Sequence, residues 1–190
     1  MNSVLKKEKE FRNIDFTTNQ LEIGEYDDCI FISCNFSSTN LSSFTFTECV
    51  FKSCDFSMAK ITNTSFKDVK FKDCKLLGLH FDECNTFLLS FFFDNCNVSY
   101  SSFSRLKLRK MFFNECVLRD VDFSETSIVG ASFKNCDLLG TIFNRSNLEN
   151  SDFRTASNYS IDPENNRIRK AKFSVMGSIG LLDKYDIKIE

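Results

Sequence analysis

A phenylalanine recurs at a fixed interval along most of this 190-residue chain. Phe11, Phe31, Phe51, Phe71, Phe93, Phe113, Phe133 and Phe153 are separated by steps of 20, 20, 20, 22, 20, 20 and 20 residues. Further apolar residues fill every fifth position between them: Phe16, Leu21 and Tyr26 follow Phe11, and Val98, Phe103 and Leu108 follow Phe93. Neither standard element buries such a series on one face. At about 100° per residue, five helical steps turn a side chain through about 500°, roughly 140° off the face. In a strand an odd offset sends successive members to opposite sides. The chain must turn a corner every five residues so that each central residue points at one axis, and a repeat of this kind defines a stacked solenoid.

The cysteines fix the number of corners per turn. All nine sit two residues before a central position, with Cys84 counted in the register that precedes the 22-residue step. Six form one series, Cys34, Cys54, Cys74, Cys96, Cys116 and Cys136, with the same steps as the phenylalanines. Twenty residues at five per side give a square coil. Coils stacked at ~4.8 Å make a rod of roughly seven turns, ~34 Å long. Other residues at the cysteine position are small, such as Ala59, Thr64, Ser101 and Thr126, as a second inward column near the corners requires. Seventeen of the 23 phenylalanines are central; Phe44, Phe87, Phe91, Phe92, Phe112 and Phe173 are the exceptions. The aromatic excess therefore belongs to the core and implies no ligand.

Length and composition fit one domain. Net charge is −2, and no apolar run approaches the ~20 residues of a membrane span. The start, MNSVLKKEKE, lacks the apolar segment of a signal peptide, so a cytoplasmic protein is expected. Stacked cysteines pointing the same way are poorly placed for bridging, and they read as small buried thiols. There is no CxxC pair, His80 is the single histidine, and no phosphate-cradling glycine loop or nucleophile–base constellation is present. No enzyme, metal or cofactor is expected.

The organisation along the chain follows from the repeat. Residues 1–10 precede the first coil as an N-terminal segment or cap, residues 11–173 form the solenoid, and residues 174–190 form a C-terminal cap or dimerisation segment. Two extra residues enter near 84–87, shifting every later column by two, with Leu88 as the next central residue. Insertions in a solenoid become exposed loops, so Asn85, Thr86 and Phe87 are candidate partner contacts. Asn158 breaks the apolar column, and Ile168 and Phe173 keep its register in a looser last coil. The tail reads as a short helix with Val175, Ile179 and Leu182 on one face, then a short strand through Tyr185, Ile187 and Ile189. A rod end exposes core and strand edges, so Leu181, Leu182, Tyr185, Ile187 and Ile189 are expected either to cap it or to join two copies.

Charge is arranged in columns. Asp28, Glu48 and Asp68, twenty apart, stack as one acidic stripe and form a candidate partner contact. Arg12, Lys52, Lys72, Lys134 and Arg154 share another column, and Arg105, Lys107, Arg109 and Lys110 form a basic cluster. With the aromatics directed inward, direct nucleic-acid binding through that cluster is not expected.

The segments Cys34-Asn35-Phe36, Cys54-Asp55-Phe56, Cys136-Asp137-Leu138 and Ser151-Asp152-Phe153 resemble the A(D/N)LXX unit of the pentapeptide-repeat family. The resemblance implies an all-β, right-handed quadrilateral β-helix of about seven to eight coils with a short C-terminal helix/strand cap. Within the family the chain is similar to the Qnr quinolone-resistance and microcin-immunity proteins. The matching stretches are Cys96-Asn97-Val98-Ser99-Tyr100, Leu106-Lys107-Leu108 before Cys116, Ile161-Asp162-Pro163, Asn166, Ile168 and Leu181-Leu182. That similarity implies a DNA-like rod that binds DNA gyrase or topoisomerase IV, protects it from quinolones or toxins, and forms a homodimer through its C-terminus. A general repeat scaffold with an unrelated protein partner is the alternative.

Overall fold

The computed structural model describes residues 4–108 and 111–188. The chain winds as an all-β solenoid, a quadrilateral β-helix whose turns have four short sides, each stacked in parallel on the equivalent side of the next turn. Each side is identified below by one central residue: Phe31, Phe36, Leu41 or Phe46. On the Phe46 side, β1 (Val4–Lys7), β3 (Gly24–Asp27), β5 (Thr45–Thr47) and β7 (Ser65–Lys67) form a four-stranded parallel sheet. On the Phe31 side, β2 (Glu10–Arg12), β4 (Ile30–Ile32), β6 (Val50–Lys52), β8 (Val69–Lys72), β9 (Phe91–Asp94), β10 (Phe112–Asn114) and β11 (Ser132–Lys134) form a seven-stranded parallel sheet. Those seven strands mark six successive turns, and bridges from Ser132 to Asp152 and from Asp152 to Lys172 carry the side into the last coil. Val4–Lys7 lies in the segment expected to precede the first coil, yet β1 pairs with β3, so the ladder begins there.

The residue before each centre decides how a side pairs. Where it is mostly β-branched or aromatic, as at Ile30, Thr45, Val50, Phe92 and Phe112, the backbone runs as a strand. Where it is Asn or Asp, its side-chain oxygen accepts the N–H of the residue after the centre, as Asn35 does from Ser37 (3.0 Å), Asp55 from Ser57 (2.9 Å) and Asp122 from Ser124 (2.7 Å). Such Asx turns compete with a continuous ladder, and the Phe36 side accordingly pairs through isolated bridges such as Asp15–Asn35 and Asn35–Asp55. Two residues after most centres the backbone turns through the left-handed region, as at Asp28 (φ 49°), Ser53 (φ 53°), Asn95 (φ 50°) and Gly130 (φ 72°). These are the corners, and small polar residues and glycine tolerate that conformation best.

The core is a set of stacked columns. Phe11, Phe31, Phe51, Phe71, Phe93, Phe113, Phe133, Phe153 and Phe173 lie ring over ring, with centroids 4.6–5.4 Å apart and interplanar angles of 4–16°. Rings on neighbouring sides meet edge to face, as Phe51 and Phe56 do at 5.0 Å and 88°. All nine cysteines are buried and unbridged. Several donate S–H to the carbonyl of the residue 23 earlier, in the coil below: Cys54 to Phe31 (3.5 Å), Cys74 to Phe51 (3.4 Å) and Cys49 to Tyr26 (3.3 Å). Thr64, Thr126, Ser146 and Ser151 direct hydroxyls to the equivalent carbonyls at 2.7–3.0 Å. Where the position holds cysteine, serine or threonine, its side chain is thus a compact donor; elsewhere it holds apolar residues such as Ala59, Leu79 and Val121.

The insertion differs from the expectation in one respect. Leu88 is not central; it is 64% exposed with φ 58°. Cys84 and Asn85 keep the first register, since Asn85 N–H donates to Thr64 O at 3.0 Å. The second register is in place by Phe91, which pairs with Val69. Residues 86–89 form the outward loop between them. Phe91 sits at the small-residue position but fills the space a central side chain would occupy, its ring 5.5 Å from Phe66 and 5.0 Å from Phe81. Phe44 is likewise buried, stacked 5.9 Å from Phe46, so with Phe173, which stacks on Phe153, three more phenylalanines point inward than the central count gave.

The tail is also corrected. Gly177–Leu181 and Asp183–Tyr185 are short 3₁₀ turns, residues 186–188 form no strand, and Ile189 lies outside the described residues. The expected face fails because Val175, Ile179 and Leu182 are exposed, while Leu181 is the tail side chain packed on the core. Asn158 is exposed where a central residue would stand, and Tyr159 and Ile161 are buried in its place.

Burial raises the Cys49 thiol to about 12 from its ordinary value near 9.0. A thiol with a raised folded-state pKa contributes stability that is complete below pH ~9 and is lost as pH climbs toward the folded value. The unfolding free energy from denaturant titrations is expected to fall between pH 9 and 11, by up to about 1.4 kcal/mol per pH unit for each such thiol. Cys49→Ser, which keeps the donor to Tyr26 O but does not titrate, reduces that slope. Rapid labelling of most thiols in the native protein at pH 8 contradicts this account.

Candidate interaction surface

The surface follows from columns of flanking and corner residues. The acidic stripe occupies a corner column: Asp28 N–H donates to Thr47 O and Glu48 N–H to Lys67 O, and Asp28, Glu48 and Asp68 all have φ near 50°. Glu8 joins them one coil below, with φ 51° and its N–H on Asp27 O. The stripe thus holds four exposed carboxylates, one more than the spacing alone revealed, because β1 extends the ladder past Phe11. Lys7 pairs with the neighbouring Asp27 at 2.7 Å rather than with a stripe member. Ser90 takes the stripe's place in the next coil, its carbonyl accepting from Val69 N–H.

The loop at 86–89 lies farther along the same side. Asn85 Oδ1 accepts Phe87 N–H at 2.9 Å, an Asx turn that projects Phe87 outward, 67% exposed. Lys67 Nζ stands 5.9 Å from that ring. Thr86 and Leu89 border a hollow shared with Arg105, Leu106 and Lys107. The basic cluster is partly neutralised: Glu125 lies 3.7 Å from Arg105 and 3.0 Å from Arg145. Arg109 and Lys110 lie outside the described residues. The second basic column is interrupted by Ile32, Asp94 and Asn114, and its ends are paired, Arg12 with Glu10 and Arg154 with Asp152 (2.7 Å).

Besides Phe87, two further phenylalanines escape the inward rule. Phe92 and Phe112 precede their centres on the Phe31 side, face out, and stack on each other at 5.0 Å and 7°. Lys70 adjoins Phe92 in the same column, and Lys52 and Lys72 stand beside it. The signal for this patch was two phenylalanines twenty apart, off the central register.

The tail is fastened to the last coil by polar contacts. Lys184 Nζ reaches Asp162 Oδ1 (2.7 Å) and Glu164 Oε2 (2.6 Å), and Tyr185 OH donates to Glu164 Oε1 (3.1 Å). The Lys184 ammonium holds both carboxyls below their usual range and is itself raised. Gly177 and Gly180 lie so close to Tyr159 that a Cβ on either would overlap it. Asn166, buried at the cysteine-type position, donates to Phe143 O (2.9 Å) and accepts Ser146 N–H (2.8 Å). Leu182, Tyr185 and Ile187 remain exposed beside Val175, which is 89% accessible.

Family models describe a pentapeptide repeat region over residues 25–103 and pentapeptide repeats over 101–138 and 116–154. The chain belongs to the pentapeptide-repeat family. Its fold is similar to that of full-length QnrB1, a plasmid-mediated fluoroquinolone resistance protein, with a TM-score of 0.64 and 18% identity over 97% of this chain and 100% of that one. It is also similar to HetL from the cyanobacterium Nostoc sp. strain PCC 7120, a pentapeptide-repeat protein involved in heterocyst differentiation regulation. There the TM-score is 0.54 and identity 16%, over 90% of this chain and 85% of that one. No curated protein matches the chain by sequence. These likenesses establish the repeat scaffold. Among the described residues no helix is long and apolar enough to cross a membrane, and no cluster of His, Cys, Asp and Glu is placed to hold a metal ion.

Replacing Gly180 by alanine forces its new methyl onto the Tyr159 backbone, so the tail should detach while the coils below stay folded. Hydrogen exchange is expected to accelerate for residues 174–188, and at the Ile161 amide, which donates to Gly180 O. Unchanged exchange there contradicts the packing described.

Proposed function

We propose that this protein is a non-enzymatic interaction scaffold that binds a type II topoisomerase, DNA gyrase or topoisomerase IV, and shields it from quinolones or toxins. The observation that carries the reading is the column Glu8, Asp28, Glu48 and Asp68, four carboxylates in successive coils on one corner. At the strand spacing of ~4.8 Å the column is a sparser line of charge than a DNA strand, whose phosphates fall every ~3.4 Å. Partial mimicry of one strand is what such a column supplies to a groove built for DNA. The outward loop at Asn85, Thr86 and Phe87, on the same side, adds an apolar contact beyond the end of the stripe.

The test is gyrase supercoiling with and without a quinolone. The protein should restore supercoiling in the presence of drug. Reversal of Glu8, Asp28, Glu48 and Asp68 to lysine should abolish that effect while leaving the fold intact, because exposed charges contribute little to stability. The loss should shrink at high salt, where screening removes the attraction. Unchanged activity of a folded reversal variant would refute the stripe as the contact.

A second reading, a scaffold for an unrelated protein partner, rests on the outward Phe92–Phe112 stack beside Lys52, Lys70 and Lys72. A basic, aromatic patch is unlike DNA and suits an acidic partner surface. Phe92→Ser with Phe112→Ser separates the two: it leaves a topoisomerase effect unaltered and weakens any partner of this side.

The tail joins two copies end to end in this proposal, through Leu182, Tyr185 and Ile187 with Val175, Met176 and Ile179, all exposed. Leu181 supports it from beneath. The protein is expected to sediment as a dimer, and Ile179→Arg with Leu182→Arg should give monomers of unchanged coil content. A native protein that sediments as a monomer reduces the segment to a cap.

A further inference from the structure

The first coil leaves one of its sides unpaired. It is bonded to the second coil on the Phe46 side (β1 to β3), the Phe31 side (β2 to β4) and the Phe36 side (Asp15 to Asn35). On the Leu41 side no backbone hydrogen bond joins residues 18–23 to residues 37–42. One coil higher the rungs are present: Leu41 N–H donates to Lys60 O (2.8 Å), Ser43 N–H to Thr62 O (3.1 Å), and Lys60 N–H to Thr39 O (2.8 Å). The carbonyls of Ser37, Asn40 and Ser42 are the matching acceptors of the open edge, and Asn40 N–H is its donor.

Asn19 explains the opening. Its N–H and Nδ2 fold back onto Asp15 O at 3.0 and 3.2 Å, and the residue is exposed. In later coils the same position turns inward as Ala59, Leu79, Ser101 and Val121, all buried. A cleft of about 410 Å³ results, with Phe16, Leu21, Leu41 and Phe44 in its walls and Ile23 at its mouth. None of the side chains bordering it is charged. The rung between Lys60 and His80 is also missing, but there Asn63 N–H donates to Glu83 O (2.8 Å), Thr62 Oγ1 to Glu83 Oε2 (2.6 Å), and Ile61 and Phe81 are fully packed.

We propose that this cleft is a docking slot for an extended polypeptide segment, added as a parallel strand with an apolar residue at its centre. Acceptors and a donor in line along one edge match a backbone, and strand addition to an open edge is a general mode of peptide recognition. The central N–H of the segment donates to Asn40 O, and the carbonyl two residues earlier accepts Asn40 N–H, as Thr39 O accepts from Lys60. Its apolar side chain enters between Leu21, Leu41 and Phe44. The uncharged walls disfavour a phosphate-bearing or strongly charged ligand.

The test uses the full chain and the peptide acetyl-Met-Ala-Lys-Ile-Thr-Asn-amide, which copies residues 58–63, a segment that fills this side one coil higher. In the free protein the Asn40 amide is expected to exchange at least about tenfold faster than that of Lys60. Saturating peptide slows Asn40 exchange by a similar factor and shifts its amide resonance, while the same peptide with aspartate in place of isoleucine does neither. Asn19→Ala gives the first coil an inward residue, protects Asn40 without peptide and removes binding. An Asn40 amide as slow as Lys60 in the free protein, an unmoved resonance at millimolar peptide, or equal binding of the aspartate peptide each overturns the proposal.

Discussion

The structure depends on register. Each central side chain lies over its equivalent in the coil below, and the Phe31 column shows how tightly that is enforced, with rings 4.6–5.4 Å apart and nearly parallel through nine levels. That spacing is close to the ~4.8 Å strand separation, so the backbone ladder and the ring stack set the same rise. Aromatic pairs prefer offset-stacked or edge-to-face geometry, and here one geometry runs along the axis and the other across it. A single-residue slip would move every ring off its partner and every flanking polar group into the core. The two-residue step is tolerated because it is confined to 86–89, and Phe91 restores the packing within the same turn.

Register also settles the polar accounting. A square coil with corners every five residues has carbonyls that a plain sheet ladder does not reach. The small inward residue before each centre answers this from inside, as Cys54 does to Phe31 O and Thr126 to Phe103 O. The Asn or Asp adjacent to the centre serves the opposite need from outside, its oxygen accepting a backbone N–H, as Asp55 does from Ser57. Unpaired buried backbone groups are costly, so these side chains serve chemistry where the centre serves volume. Cysteine, serine and threonine interchange at the inner position because each is a compact donor.

Much of this was legible in the sequence, because a strict period makes one-dimensional spacing equivalent to position in space. The four sides, the columns, the buried thiols and the existence of the insertion all follow from counting. What counting missed lies where the period stops deciding. Leu88 was given a central position by arithmetic, but an insertion is placed by the best local packing, and Phe91 outcompetes it. β1 carries Lys6 at the central position where Tyr26 and Phe46 stand in the next coils, so its pattern was hidden even though its hydrogen bonds are regular. The tail was read from apolar spacing, whereas its conformation is set by two glycines against Tyr159 and by Lys184 on Asp162 and Glu164. Asn19 looked like one more polar residue, and only the folded chain shows that it opens a side.

The same constraint separates structure from recognition. Centres and inner donors are committed to the core, and the Asx positions to turns. Corners are less committed. A left-handed corner is easiest for glycine, asparagine or aspartate, and this chain uses Asp28 and Asp68 there, where conformation alone explains the choice. Glu8 and Glu48 are different: their longer side chains have no special tolerance for φ near 50°, yet they continue the same column. Long side chains also stand at other left-handed corners, such as Met58, Tyr100 and Arg105, so what sets this column apart is that its four members share one charge. Phe92 and Phe112 stand on the outer face of a strand side, where no core requires an aromatic ring, and Phe87 stands on a loop with no core to fill. Those are the residues on which the proposed contacts rest.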